Sequence, residues 1–160
     1  MKQRVELSTY SIIITILCLG ILVSTIFMIP EIWWQIGWGI FVVILLIISL
    51  CYMPMSIGAD ENAIYINRSL KIKTIPMTEV ASVKLCPPTM GAIRICGSGG
   101  FLGYWGWFKE RDLGKYFAYY GKSSDCFLVT LTNGGKYILG CQNAPEMVEY
   151  IAKQIKKHSS

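Results

Sequence analysis

Histidine is nearly missing from this chain of 160 residues: His158, close to the end, is the single one. A Ser/His/Asp or Cys/His set needs an imidazole held beside a nucleophile, and a lone tail histidine does not offer one. Charge is also scarce. Only 16% of residues are Asp, Glu, Lys or Arg, where a soluble domain carries about 25%, which argues against a simple soluble protein. The six cysteines, Cys18, Cys51, Cys86, Cys96, Cys126 and Cys141, include no C-x-x-C pair. A zinc site usually has such a short-spaced pair among its three or four ligands, so no metal is expected. Phosphate-loop patterns fail as well. Gly97-x-Gly99 would need a third glycine where Leu102 stands, and Gly121-Lys122-Ser123 would need a leading one where Tyr116 stands. No cofactor is expected. The net charge of +5 is spread out rather than gathered in a dense stripe, so nucleic acid is not an expected partner.

What the chain has instead is long uncharged runs. Residues 7–30 and 32–59 carry no charge, and Glu31 alone separates them. A helix crossing the hydrocarbon core needs about 20 apolar residues, so each run is long enough. Twelve residues from Ile12 to Ile29 are Leu, Ile, Val or Phe; at about −0.3 to −0.6 kcal/mol each they favour insertion by about 4 to 7 kcal/mol. A pair of buried soluble helices would need a larger core than the remaining hundred residues could build. Lys2 and Arg4 before an apolar stretch suggest a signal peptide, but no A-x-A-like cleavage site follows and a second run comes at once. The reading is a retained hairpin over 10–57, with spans at about 10–29 and 33–54. Trp33, Trp34 and Trp38 lie where an aromatic belt would meet the interface. The tip carries one acid and no base, whereas Lys2, Arg4, Arg68, Lys71 and Lys73 flank the other side. Positive-inside therefore places both termini, including residues 1–9, in the cytoplasm of an integral membrane protein.

Residues 60–160 read as strands followed by one helix. Ala63-Ile64-Tyr65-Ile66, Lys71 to Ile75, Val80 to Leu85, Ala92 to Cys96 and Tyr116 to Tyr120 are short strands separated by turn residues. Cys126 to Thr132 and Lys136 to Leu139 flank Asn133-Gly134-Gly135, the clearest hairpin signal. The cysteines in these strands read as small core residues. The period then changes: Met147, Val148, Ile151 and Ile155 form one apolar face of a helix over about 144–157, with Asn143 to cap it and Lys153, Lys156 and Lys157 near its end.

About seven short strands, a final Asn-Gly hairpin and one C-terminal helix resemble a pleckstrin-homology (PH)-like barrel. The stretch Gly99-Gly100-Phe101-Leu102-Gly103-Tyr104-Trp105-Gly106, continuing to Leu113-Gly114-Lys115-Tyr116, resembles the bacterial PH-domain membrane proteins, in which a two-helix hairpin precedes the domain. That resemblance implies a binding or assembly module in the bacterial inner membrane, with a protein partner or a second copy of the chain, and no catalysis. PH domains that bind phosphoinositides carry a basic cluster on the first hairpin; here Arg68, Lys71 and Lys73 match it only in part and mark an acidic-lipid contact. The Gly-aromatic segment marks a second candidate surface through Phe101, Tyr104, Trp105, Trp107 and Phe108. It reads first as a long hairpin whose aromatics fold back over its own barrel, and otherwise as a partner-recognition loop or a wedge on the bilayer. The alternative from another class is a membrane enzyme using Cys96, or Asp112 with Arg111, beside that segment.

Overall fold

In a computed structural model of the chain, residues 1–89 and 91–159 are described, without the side chains of 158 and 159; the His158 side chain lies outside the described residues. The two uncharged runs form helices α1 (Thr9–Met28) and α2 (Ile32–Tyr52), joined at Pro30 and Glu31. Ser8 caps α1, its Oγ accepting from the Ser11 N–H at 3.1 Å. Both helices are long and apolar enough to cross a membrane. Their polar groups turn toward each other: Trp38 Nε1 donates to Thr25 Oγ1 at 3.0 Å, and Gln35 Nε2 to the Ile26 carbonyl at 3.1 Å. Their apolar side chains face outward, with Phe27 79% and Trp33 81% exposed. That is the reverse of a water-soluble helix pair, which hides its apolar stripe.

Among the described residues the β-rich part holds ten strands, more than the expected seven, in two sheets. The first sheet has the order β1 (Lys2–Arg4), β2 (Pro54–Ala59), β3 (Ala63–Arg68), β4 (Ile72–Pro76), all antiparallel. Two of the three extra strands, β1 and β2, lie at its edge and flank the helices; the third belongs to the second sheet. Three residues are too few to show a period, and Met53 to Ala59 prolongs an apolar run, so neither β1 nor β2 is separable from the helices by pattern. Their pairing has a structural consequence. Val5 N–H donates to Met55 O, Ser8 N–H to Gly121 O and Gln142 N–H to Arg4 O, each at 3.0 Å. The start of α1 and the end of α2 are thereby rooted side by side in the domain.

After a 3-10 turn at Met77–Glu79, the second sheet holds β5 (Val80–Leu85), β6 (Ile93–Gly100), β7 (Gly103–Glu110), β8 (Gly114–Tyr120), β9 (Cys126–Leu131) and β10 (Lys136–Gly140), in the order β5-β9-β10-β8-β7-β6. Only the β8–β10 pair is parallel. Side chains alternate across strands, and this sheet buries both faces. One faces the first sheet, where Ile57, Ile64, Ile66 and Ile75 meet Tyr119, Phe127, Val129 and Leu139. The other holds Phe108, Tyr116, Ala118, Tyr120, Leu128 and Ile138, with Cys86, Ala92 and Leu113 packed against them. Helix α3 (Ala144–Ser159) closes the sandwich, setting the fully buried Met147 and Ile151 into the first core. Asn143 joins its start differently from a simple cap: its Nδ2 donates to Glu146 Oε2 at 2.8 Å, while its N–H donates to Gln3 Oε1 at 2.7 Å.

Candidate functional site

The Gly-aromatic segment is a paired hairpin, β6–β7, rather than an open loop. Gly97 faces Gly106 across the ladder, with φ of +124° and +120°. Extended strand residues have negative φ, and only glycine adopts the other sign without strain. A Cβ on Gly97 would lie 2.7 Å from the Gly106 Cα and would strike the Trp105 carbonyl; one on Gly106 would strike the Cys96 carbonyl. The glycines serve close backbone approach inside a hairpin.

Beyond that pair, the tip packs on α1. Leu102, at φ +53°, donates its N–H to Thr15 Oγ1 at 2.9 Å, and Gly100 lies against Tyr10 and Ile14. The Phe101 carbonyl accepts from Ser98 Oγ at 2.7 Å. Tyr104 stacks on Tyr120 with ring centroids 4.8 Å apart, and burial raises its hydroxyl pKa. Trp105 stacks on Tyr52 of α2 at 5.2 Å, and its Nε1 is closed off from solvent without a partner among the described residues. Phe108 is buried on the far face beside Tyr116. There Glu110, 4% exposed, accepts from Tyr116 Oη at 2.6 Å and Thr89 Oγ1 at 2.9 Å. Of the five candidate aromatics, only Trp107 is an exposed side chain on the sheet, at 40%. It meets Phe117 edge-on at 5.1 Å, with Lys115 Nζ 4.5 Å from its ring centroid.

The bases Arg68, Lys71 and Lys73 fall on the β3–β4 hairpin, the second hairpin of the domain. The first, β2–β3, turns at Asp60-Glu61-Asn62 and is acidic. Asp60 Oδ1 accepts from the N–H groups of Asn62 and Ala63 at 2.8 Å each, which holds its pKa below the usual carboxylate range. Ile66 pairs with Lys73, so Arg68 and Lys73 continue the inward face of Ile64 and Ile66 and reach the open mouth of the sandwich. The Arg68 guanidinium carbon lies 5.5 Å from the Tyr52 ring centroid and 5.7 Å from that of Tyr119, and its Nη1 donates to Tyr119 Oη at 3.4 Å. Burial pushes Tyr119 up to about 12, with the Arg68 charge opposing. Lys73 Nζ donates to Tyr137 Oη at 2.8 Å over the same ring. The structure thus joins the two sequence-derived sets in one seam, through Tyr52, Phe117, Tyr119 and Tyr137, none of which was singled out. The period-two spacing of Trp105/Trp107 and Phe117/Tyr119 could have revealed the shared face; Tyr52, inside an apolar run, carries no such signal.

The residues named for catalysis stand apart. Cys96 is exposed on β6 opposite Trp107, and Arg111 and Asp112 sit exposed in the β7–β8 turn. Burial raises the Cys126 thiol well above its ordinary value, Cys141 to about 11, and Cys86 less strongly. Among the described residues, no group of three or more His, Cys, Asp or Glu could hold a metal ion.

Two β-sheets closed by a C-terminal helix are the architecture of a PH-like domain, a class whose members are generally binding modules. Residues 55–155 match the bacterial PH domain family, and the chain belongs to it. The chain matches no curated protein and no solved structure.

Proposed function

We propose that the protein is a membrane-anchored binding module: α1 and α2 cross the bilayer, and the PH-like domain faces the cytoplasm and receives a protein partner on the edge of its larger sheet. The outward apolar faces of both helices, and the bases clustered at their rooted end, support the anchor and its orientation. One observation carries the interaction reading. Strand β6 ends the second sheet with nothing paired on its outer side among the described residues, and it exposes Ile93 at 69% and Ile95 at 52% beside Trp107. The free N–H and C=O groups of such an edge template a further strand, and the irregularity between Arg94 and Cys96 interrupts them at one point. An extended segment added there gains main-chain hydrogen bonds, with side-chain contacts supplying specificity. Arg94, Lys109 and Lys115 flank the edge on β6, β7 and β8. They fit a segment with acidic and apolar residues better than a second copy, which brings the same bases.

The test is a photoreactive residue at position 95 of the full chain in its native membrane, with position 101 as the control. Position 95 should give one discrete protein adduct, and position 101, at the hairpin tip between Gly100 and Leu102 that meet α1, should not. Equal labelling at both positions, or no adduct at 95, contradicts the edge as the partner surface. The anchor is tested separately by alkaline extraction of membranes, from which the chain should not be released.

A further inference from the structure

The β6–β7 hairpin meets α1 well past the start of that helix. The Leu102 N–H reaches Thr15 Oγ1 at 2.9 Å, and a Cβ on Gly100 would lie 3.5 Å from Tyr10 Cε1 and 3.7 Å from Ile14 Cγ2. Helix α1 holds 20 residues. At about 1.5 Å each they make about 30 Å, the thickness of the hydrocarbon layer. A helix with no length to spare enters that layer close to its first turn. Thr15 then lies about 9 Å further along the axis than Thr9, inside the layer. We infer that the tip of β6–β7, through Phe101 and Leu102, is inserted among the acyl chains of the leaflet nearer the domain, as a third membrane element beside α1 and α2. The inference rests on the reading that α1 spans the bilayer.

Three observations support it independently of helix length. First, the α1 side chains on the turns around Thr15 are apolar and uncovered: Ile13, Ile16 and Leu17 are 51%, 65% and 56% exposed. Acyl chains that cover those residues also surround a tip hydrogen-bonded to Thr15. Second, the tip meets the demand that lipid makes of a turn. Irregular backbone enters lipid only where the protein itself satisfies its polar groups. Ser98 Oγ donates to the Phe101 carbonyl at 2.7 Å, and the Leu102 N–H finds its acceptor on a helix side chain. Leu102 also holds φ at +53°, a region that turns in water give mostly to glycine, asparagine or aspartate. A leucine there accepts strain and supplies an apolar side chain at the tip. Third, charge is absent from Ile95 to Phe108. The nearest base extends toward the tip, since a Cβ on Gly99 would lie 3.2 Å from Arg94 Nη1. A cation carried on a long stem to just below an apolar tip follows the order of headgroups and acyl chains. With the tip embedded, Ile95 stands up to about 20 Å down the strand, and the free edge of β6 is clear of the bilayer.

The experiment uses the full chain in phosphatidylcholine vesicles, with a small polar fluorescent residue placed in turn at positions 16, 101 and 112, and phosphatidylcholine brominated on its acyl chains as the quencher. Bromine there quenches only emission from within the apolar layer. Position 16 reports the anchor. Position 112, exposed in the β7–β8 turn at the opposite end of β7, reports the far part of the domain. Emission should be largely lost at 16 and 101 and kept at 112. Bromines near the headgroup should quench position 101 more strongly than bromines near the chain ends, because the tip is shallow. Quenching at 16 without quenching at 101 overturns the insertion and leaves the anchor standing. Quenching at none of the three overturns the anchor, and the insertion with it. Equal quenching at 101 and 112 overturns the tip as the contact. Leu102→Asp guards against a label that drives insertion by itself, and aspartate tolerates the positive φ. It should restore most of the emission at 101 and leave position 16 quenched. Quenching at 101 that survives the added charge overturns insertion through Leu102.

Discussion

The two halves of the β6–β7 hairpin share one ladder, yet they do opposite things. Trp105 and Trp107 lie two residues apart on the same face of the same strand. Trp105 is stacked under Tyr52 at the foot of α2, whereas Trp107 keeps 40% of its surface. The facing Gly97–Gly106 pair divides them. On one side the hairpin is a joint that holds α1 and α2 to the domain; on the other it is a free edge with Ile93 and Ile95 uncovered. An aromatic, glycine-rich segment is therefore not one functional unit. Its residues sort by what covers them: the helix roots for the tip, the far core for Phe108, and nothing for Ile93 and Ile95.

Substitutions can break or sharpen that contrast. The largest effect is expected at the dividing pair. Gly106→Ala forces a Cβ onto the Cys96 carbonyl at positive φ and should destabilise the domain by at least about 3 kcal/mol. It should show as a large fall in the denaturation midpoint in detergent, and an unchanged midpoint would mean that the hairpin can relax around the methyl. Trp105→Ala removes a partly buried ring packed against the first core and should cost about 2 to 3 kcal/mol, below the range for a fully buried ring. Trp107→Ala loses one edge-on ring contact and should cost about 1 kcal/mol. Equal costs for the two would erase the difference between the halves. Ile95→Lys should leave stability nearly unchanged while removing the adduct or partner at the edge, since an added charge is a common way to block strand addition.

The smallest effect is a pH dependence far from the hairpin. The Asp60 carboxylate is stabilised in the fold by two backbone N–H groups, so its folded pKa lies below its unfolded one. Its contribution is present above the ordinary carboxylate value of about 3.9 and is lost as pH falls through the lowered value. The stability gap between the wild-type chain and Asp60→Ala should hold steady from neutral pH to about 4 and close below it. A gap that stays constant at lower pH would contradict the capping role.

Much of this architecture was legible because its signals are periodic. Two uncharged runs, the Asn133-Gly134-Gly135 turn and the spacing of Met147, Ile151 and Ile155 each correspond to elements of the structure. Strands β1 and β2 were not legible, since one has three residues and the other extends an apolar run. The candidate site was legible in part. Arg68, Lys73 and Trp107 do border the seam, but the rings that connect them come from three distant segments. Phe108 shows the limit from the other side: an aromatic beside a glycine-rich stretch reads as surface, but alternation turns it into the far core. No local spacing records which face of a strand a second sheet will cover.

The most direct test of the module reading is affinity purification of the tagged full chain from mildly solubilised membranes, with mass spectrometry and the particle mass, alongside Ile95→Lys. The expected result is a stoichiometric protein partner that accompanies the wild-type chain and is lost from the variant, with both chains equally stable. A particle with the mass of the chain alone in both cases, or a partner retained by Ile95→Lys, would contradict the edge of β6 as the surface this protein uses.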